Sequence, residues 1–193
     1  MDVVPILYNG DSDWYGDLVS QDDGTFLKTC IPRHLEFIRK RKTHHEMDFA
    51  QVIRLGKYWI RKLKRENEDF RFKSFMVELI FAHLADGGRT FSDYPDALQH
   101  FFTYLATSRL RDPIVFTDYY GEAAVEEFHE PILILDPVNP ENNVARLYTE
   151  TQADAIVEAA MDAGDAIDAA LYAPTKHETV SYWQKVFGSA FQM

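Results

Sequence analysis

Three groups of residues have types and spacings that could do chemistry. The first is Asp2 in "DVVP", a carboxylate near the end of an apolar, β-branched strand. The second is Lys57, which has Arg54 and Arg61 about one helical turn to either side. The third is the segment "LILDPVNPENNVA" at 133–145. Taken singly, each group also has an ordinary structural interpretation: a charge at a sheet edge, a solvated helix face, or a capped turn.

Other familiar kinds of chemistry lack their motifs. The seven histidines include the adjacent pair His44 and His45, but adjacent histidines do not share a helix face, and no Cys/His cluster has the spacing of a zinc site. Neither Ser74 nor Cys30 lies in a nucleophile elbow, and no phosphate-binding glycine loop occurs. The single cysteine excludes an internal disulfide and is typical of a reducing compartment, so we expect a cytoplasmic protein.

The net charge of −11 is unevenly distributed along the chain. Residues 33–73 contain 13 basic and six acidic side chains, whereas residues 74–193 contain six basic and 19 acidic ones. Residues 1–32 are also acidic. An acidic body with one basic belt favours a local anion site over a broad surface for double-stranded nucleic acid. The same belt could instead be a solvated helix face.

The elements that would position these residues begin with β structure. Residues 2–8 are typical of a strand, and the segments 17–19 and 25–28, separated by "SQDDG", predict a hairpin. A lone strand cannot satisfy its own N–H and C=O groups, so the first strand must join a sheet.

Helices follow the β structure. Pro32 predicts a helix start, and this helix is expected to run to about residue 43. A second, amphipathic helix is predicted over 48–66, with positive residues opposite an apolar stripe. The stripe is formed by Val52, Leu55, Trp59 and Leu63, and the positive side by Arg54, Lys57, Arg61 and Lys64.

The remainder of the chain predicts four further helices around a short β segment. The helices are expected at 73–88, at 92–107 with Ser92 or Asp93 as cap, at 151–171 and at about 176–187. Residues 109–130 are irregular, and 131–145 predict a short strand that runs into Pro/Asn turns. No stretch approaches the roughly 20 apolar residues of a membrane span. The predicted fold class is therefore α+β, mainly α: a helical bundle with a small N-terminal β portion.

The order of these segments resembles one family, the template-independent nucleotidyltransferases of the 2′-5′-oligoadenylate synthetase and cyclic GMP-AMP synthase type. The likeness is greatest to their bacterial relatives, the CD-NTases of CBASS anti-phage operons, which make cyclic or linear oligonucleotide second messengers from NTPs. The resemblance rests on "DVVPILY", "VIRLGKYWIRKL", "FRFKSFMVELIFAHLA" and "ILDPVNPENNVA". It implies that residues 1–30 are a remnant of the catalytic palm sheet and that 31–193 form the helical C-terminal lobe.

The resemblance also implies roles for individual residues. "DVVPILY" looks like the strand that carries the third metal-binding carboxylate, which makes Asp2 the expected catalytic and metal-binding residue. Lys57 corresponds to the lysine that reaches the nucleotide triphosphate, and Arg54 and Arg61 are expected to assist it.

The segment around the third helix is similar to the one near the base and ribose of the donor nucleotide. Lys73 and Ser74 are therefore expected to contact ribose or phosphate. Phe70 is expected to offer a stacking face to a base, with Phe72 as the other candidate, and a core role for one of the two rings is the equal alternative.

In such enzymes two Mg²⁺ ions are held by several converging carboxylates. The family's Gly-Ser loop and Asp-x-Asp pair come before the third acid, whereas only Met1 precedes Asp2 in this sequence. We therefore predict that this chain by itself is inactive and that the other acids come from elsewhere. The zinc insertion of the animal DNA sensor is absent as well, so activation by double-stranded DNA is not implied.

The expected partners are NTPs, such as ATP and possibly GTP or pyrimidine NTPs. A missing catalytic lobe, or a second copy of the chain, is expected at the exposed first strand. The alternative hypothesis is a non-catalytic helical module that uses the belt at 33–73 to bind a nucleotide, RNA or an acidic protein.

Overall fold

A small antiparallel sheet begins the described part of the chain. The computed structural model describes residues 6–8, 10, 13–20 and 23–192, without the side chains of 45–47. Strands β1 (Ile6–Tyr8), β2 (Gly16–Val19) and β3 (Phe26–Thr29) pair in the order β1-β2-β3. Leu18 lies opposite Ile6 on one side and Leu27 on the other. The predicted hairpin is confirmed, whereas residues 2–5 of the predicted first strand lie outside the described residues.

One long helix replaces the two that the sequence predicts over 31–66. Helix α1 (Ile31–Glu66) has 36 residues, which at 1.5 Å per residue is about 54 Å. The predicted end near residue 43 is wrong because no glycine or proline lies between Pro32 and Gly56 to interrupt the helix. Pro32 lies in the first turn, as predicted.

Helices α2 (Ser74–Asp86) and α3 (Tyr94–Ser108) form the centre of the bundle with α1. Eight of the 13 residues of α2 are buried, which confirms the predicted central helix, and Gly87 follows its last turn. The Asp93 side chain accepts the backbone N–H of Asp96 and so caps α3, as one of the two predicted caps.

Close contact between α1 and α2 depends on Gly56. A Cβ atom at this position would lie 2.9 Å from Cγ1 of Val77 and 3.0 Å from Cε2 of Phe81. Because ordinary carbon contacts are about 3.5–4.0 Å, only glycine allows the two helices this separation. The residue after this contact is Lys57, so the contact brings that lysine near α2.

The segment 131–145 forms a second antiparallel hairpin. Strands β4 (Leu135–Asp136) and β5 (Asn139–Asn143) pair with an irregular register, and Ile134 forms a parallel bridge with Ile114. The predicted turn series is therefore wrong in part, because its Asn and Pro residues supply the second strand. Side chains in this segment, described below, replace the missing sheet neighbours.

The chain ends in helices α4 (Glu150–Leu171) and α5 (Lys176–Phe187), both close to their predicted bounds. A capping box joins Thr149 and Gln152 at the start of α4. The predicted stripe of Ile156, Ala160, Ala163 and Ile167 is buried. Small side chains on α4 let it pack closely on α3 and α5, because alanine keeps neighbouring helix axes close together.

The predicted fold class is confirmed: the described part of the chain is mainly helical, with two small antiparallel sheets. One continuous hydrophobic core runs through all five helices and includes Trp59, Phe81, Phe101 and Phe102. Within the described ranges, no helix combines the length and the apolar composition needed to cross a bilayer.

Candidate functional site

The lysine predicted to bind a triphosphate is held between α1 and α2. Its Nζ donates to Oε1 of Glu78 on α2, and the Lys57 and Glu78 side chains are 33% and 24% exposed. Ser74 lies four residues before Glu78 and therefore on the same face of α2. The structure thus brings Lys57 and Ser74 to one flank of the helix pair. Lys57 is half-buried, so the alternative interpretation of a fully solvated helix face does not describe it.

The N-terminus of α2 adds positive potential to this flank. Lys73 is the N-cap residue, and no described side chain caps the first turn. Such a turn presents backbone N–H groups and the positive end of the helix dipole, which together suit an anion. The backbone N–H of Lys73 donates to the Tyr148 hydroxyl at 2.9 Å, and its Nζ donates to the Val144 carbonyl at 3.1 Å. Both bonds fix the start of α2 against the segment that follows β5.

The remaining predicted nucleotide-binding residues divide into exposed and buried. Arg54 and Arg61 are exposed on α1, and Arg54 donates to the Gln51 side chain at 3.3 Å. Phe70 is only 7% exposed and belongs to the hydrophobic core, as does Phe72. Neither ring therefore has a free face for a base, and the core interpretation applies to both.

A cavity of about 380 Å³ opens on the other side of Lys73. It lies between β2 and β3, the start of α1, and the β4–β5 hairpin, and Phe75 and Lys28 line it. Its walls are mainly apolar with a few polar groups, and its size is within the range of about 300–1,000 Å³ for small-ligand sites. No pattern in the sequence predicts this cavity. The sequence could have indicated Phe75 as a lining residue, because it directly follows Ser74.

Buried polar side chains shape the wall that the β4–β5 hairpin contributes. Asp136 is 3% exposed. Its Oδ1 accepts the Val138 N–H at 2.9 Å and lies 2.7 Å from Nε2 of His34, while its Oδ2 accepts the Asn142 amide at 3.2 Å. A buried carboxylate is costly without such partners. The Asp of "ILDP" is therefore a structural anchor that joins the start of α1 to the hairpin.

Asn143 completes this anchor. Its side-chain oxygen accepts the backbone N–H groups of Ile134 and Ala145, and its Nδ2 donates to the Ile132 carbonyl at 2.8 Å. One amide side chain thus supplies bonds that a longer sheet would otherwise provide. The conformation of "LILDPVNPENNVA" is fixed mainly by its own side chains.

Arg146 ties the first sheet to the helical part. Its guanidinium binds Asp23 in the β2–β3 turn with two bonds of 2.7 and 2.8 Å, and it also donates to Thr25 at 2.8 Å. The hydrogen bond from Arg146 holds the pKa of Asp23 well below its ordinary value. The small sheet is therefore attached to the remainder of the fold by a bidentate ion pair.

The described residues do not fit a two-metal centre. No group of three or more Asp, Glu, His or Cys side chains that could hold a metal ion occurs among them. Asp2, the predicted metal ligand, lies outside the described residues. What these residues do provide is a flank, formed by the Lys57–Glu78 pair, Ser74 and the start of α2, and a cavity next to it.

These elements are the ones on which the resemblance to oligoadenylate-synthetase-like nucleotidyltransferases rests. A long helix carries the lysine, a central helix begins near it, and a hydrophobic-Asp-Pro hairpin lines the neighbouring cavity. No protein-family model matches the sequence. Comparison with individual known proteins does support the resemblance.

Individual relatives cover the whole chain. It is 60% identical over 192 residues to the cyclic AMP-AMP-AMP synthase of Escherichia coli strain MS 115-1, and 30% identical over 193 residues to the CBASS oligonucleotide cyclase CdnC of E. coli strain KTE188. All of this chain is matched in both, but it spans only 60% and 57% of the lengths of those relatives.

Solved structures give the same result. CdnC of E. coli MS115-1 with ATP has a TM-score of 0.95 at 60% identity, and its complex with HORMA-deltaN has 0.93 at 58%; both matches cover this whole chain and 60% and 59% of the other chain. The Vibrio cholerae di-nucleotide cyclase, at 12% identity over 94% of this chain and 42% of its own, shares the fold with a TM-score of 0.63. The predicted resemblance is confirmed: the chain is homologous, along its whole length, to the C-terminal part of a CBASS oligonucleotide cyclase.

Proposed function

We propose that this chain is the helical, triphosphate-binding lobe of a nucleotidyltransferase that makes cyclic oligonucleotides for CBASS anti-phage defence. The observation that carries the proposal is the contact of Lys57 with Glu78, one turn after the uncapped start of α2, on the flank that Ser74 shares. The 60% identity to a cyclic AMP-AMP-AMP synthase supports ATP as the first nucleotide to test.

The geometry suggests that the flank binds the phosphates and that the cavity binds the base. Lys57 and the first N–H groups of α2 would hold the phosphates, because both present positive charge to the same region. Ser74 would donate its hydroxyl to a phosphate or ribose oxygen. The cavity lined by Phe75 has the size and apolar character to take a base. Arg54 and Arg61 would attract the nucleotide from their exposed positions on α1.

Catalysis would need groups that the described residues do not supply. In the proposal, Asp2 is one ligand to Mg²⁺, and further acids come from the portion of the enzyme that this chain does not cover. Supporting observations are the 60% coverage of the relative and the lack of a three-ligand cluster within the described ranges. The chain by itself is therefore expected to bind NTPs without joining them.

The first sheet offers a surface for that additional portion. Leu7, Val19 and Phe26 are large apolar side chains that are 47–63% exposed on β1, β2 and β3. Exposed apolar side chains on a short open sheet favour cover by further protein. Sizing chromatography of the chain, alone and with the separately expressed complementary portion of the E. coli relative, tests this: a one-to-one complex is expected, and self-association alone would favour a second copy as the occupant.

Calorimetry tests nucleotide binding by the chain. ATP is expected to bind more tightly than AMP, since the contacts on the flank are made to phosphates. Lys57→Gln is expected to weaken ATP binding about tenfold, because it removes a hydrogen bond to a charged group. Equal binding of ATP and AMP, or no effect of Lys57→Gln, would contradict the proposal and favour a protein-binding module.

A fusion tests the catalytic role. The portion of the E. coli MS 115-1 synthase that precedes the matched region is joined to this chain and assayed with labelled ATP and Mg²⁺. A cyclic product is expected from the fusion and none from the chain alone. Asp2→Ala is expected to abolish product formation in the fusion while leaving ATP binding to the chain unchanged. Robust product from the isolated chain would refute the expectation of inactivity.

A further inference from the structure

The cavity lined by Phe75 contains two hydrogen-bond acceptors that no described residue uses. They are Oδ1 of Asn142 and Nδ1 of His34, and both side chains line the cavity. Asn142 is 9% exposed and the His34 side chain 17%, so each is largely removed from bulk water. A polar atom in such a place is satisfied only by what enters the cavity, which is either water or the donor of a ligand.

The Asp136 carboxylate determines which end of the Asn142 amide is free. A carboxylate only accepts, so the Asn142 atom that lies 3.2 Å from Oδ2 of Asp136 is the nitrogen Nδ2. The Asn142 oxygen accepts no hydrogen bond from any described residue. Asn143 differs, because its oxygen accepts two backbone N–H groups and its nitrogen donates to a backbone carbonyl. Of these two neighbouring amides, only that of Asn142 keeps an acceptor for a ligand.

The same carboxylate assigns the tautomer of His34. Nε2 of His34 lies 2.7 Å from Oδ1 of Asp136 and therefore carries a proton. In the neutral imidazole the lone pair is then on Nδ1, which accepts. Within the described ranges no group donates to this nitrogen. Phe75 contacts the imidazole edge to face with a centroid distance of 5.3 Å, so the ring is held in position from two sides.

Neither acceptor is sealed in the protein interior. In the part of the chain that the structure describes, the fully buried side-chain oxygens and nitrogens without a partner belong to Gln99, His100 and Tyr104, all on α3. The free atoms of Asn142 and His34 are therefore accessible, and the space that both side chains line is the cavity.

The cations that line the cavity are engaged with other groups. Nζ of Lys73 donates to a backbone carbonyl at 3.1 Å, and Arg146 binds the β2–β3 turn. Nζ of Lys28 lies over the Tyr15 ring, 4.8 Å from its centroid. The unused capacity of His34 and Asn142 is therefore for a ligand that donates hydrogen bonds, and not for an anion.

Two acceptors beside an apolar cavity suit an amino group on a planar ring. Because His34 and Asn142 bond to the same carboxylate, their free acceptors lie near each other. The exocyclic amine of a nucleobase has two N–H donors, and its ring suits apolar walls and the aromatic Phe75. A carbonyl oxygen in the same position would face two acceptors and be repelled.

We propose that His34 and Asn142 select the base of the bound nucleotide by accepting the two N–H bonds of the 6-amino group of adenine. The inference rests on the proposed function, which puts the base in this cavity. Asp136 is a positioning residue: it takes one donor from each of the two side chains and leaves their acceptors for the base. Selection at this wall is separate from phosphate binding at Lys57.

Calorimetric titration of the 193-residue chain with three nucleotides tests the selection. The three are ATP, ITP, which has a carbonyl oxygen in place of the 6-amino group, and the triphosphate of unsubstituted purine riboside, which has hydrogen there. A pH of about 8 is used, at which an imidazole is ordinarily neutral. ATP is expected to bind about tenfold more tightly than the purine analogue, because the analogue cannot make the two hydrogen bonds. ITP is expected to bind most weakly.

Two substitutions remove the acceptors one at a time. Asn142→Leu and His34→Phe are each expected to reduce the ratio of ATP affinity to purine-analogue affinity by at least about threefold. The matched control is Asn139→Leu, which replaces an amide of the same strand that bonds to backbone groups and does not line the cavity. It is expected to leave the ratio unchanged, because a loosened hairpin weakens both ligands alike.

The outcomes distinguish this inference from the proposed function. Equal affinities for ATP and ITP would overturn the selection, while weaker binding of both in Lys57→Gln would still support the phosphate-binding flank. A preference for ATP that persists in Asn142→Leu and in His34→Phe would also overturn it, as would an equal loss in Asn139→Leu. Binding of none of the three nucleotides would contradict both proposals. If circular dichroism shows that a variant is unfolded, the order of the three wild-type affinities decides.

Discussion

Replacing Glu78 by glutamine is expected to increase the affinity for ATP. The carboxylate of Glu78 now accepts the ammonium of Lys57, so an arriving triphosphate must compete with it or share the lysine. Glutamine has nearly the same shape and keeps a carbonyl oxygen, but it has no charge. The substitution therefore releases Lys57 for the ligand and also removes a negative charge from the flank that the phosphates approach.

The magnitude follows from the exposure of the pair. Exposed ion pairs contribute about 0.2–1 kcal/mol, and the Lys57 and Glu78 side chains are 33% and 24% exposed. Such partial burial places this pair at the upper end of that range, about 1 kcal/mol. If the lysine exchanges its carboxylate for a phosphate, the recovered free energy corresponds to about fivefold tighter ATP binding.

Isothermal titration calorimetry with ATP measures the effect. The matched control is Glu66→Gln, which breaks the Lys62–Glu66 pair of 2.9 Å on the same helix and is expected to leave ATP affinity unchanged. The gain should also disappear in the double variant Lys57→Gln and Glu78→Gln, since no lysine is then released. Weaker binding in Glu78→Gln would refute the reasoning and show that the carboxylate orients Lys57 more than it competes for it.

Three further predictions concern the contacts that hold the site in place. Arg41 is 8% exposed and donates to Asp118 at 2.9 Å. Arg41→Met is expected to lower the free energy of unfolding, measured by urea denaturation, by about 3 kcal/mol, because Asp118 loses its partner. Asp136→Ala is expected to lower the same quantity by about 2–3 kcal/mol, because buried donors lose their acceptor. Arg146 lowers the pKa of Asp23, so their stabilisation is present above the ordinary Asp pKa of about 4 and is lost as the pH falls below it. Thermal denaturation against pH is expected to show this loss, and Asp23→Asn should remove that component.

Local signals in the sequence predicted most of the helical structure. Asp93 and the glycines after α2 mark real helix ends because caps and breakers act within one turn. The buried stripe of α4 follows directly from helical spacing. The prediction of two helices over 31–66 was wrong. A polar, charged stretch looks like a helix break in the sequence, but without glycine or proline it continues the helix when the segments on either side of it pack on the core.

Contacts between distant segments were not predictable in the same way. The sequence places Lys57 on the charged side of its helix, but its partner Glu78 belongs to the next helix, and only the close approach at Gly56 brings them together. The aromatic side chain next to the site is Phe75 and not Phe70, because the segment that leads into α2 buries Phe70 and its neighbour at 72 in the core. In the β4–β5 segment, turn-forming residues build a strand because their side chains supply the hydrogen bonds.

Helix α1 is unbroken and therefore acts as a rigid rod in the molecule. Near its start His34 touches the β4–β5 hairpin, in its middle Arg41 joins α2, and towards its end Lys62 donates to the Lys185 carbonyl of α5. A regular helix has no hinge between these contacts. A displacement of Lys57 is therefore transmitted to both ends of α1. Nucleotide binding at Lys57 would therefore move α5 and the β4–β5 hairpin together, because no loop interrupts α1 between them.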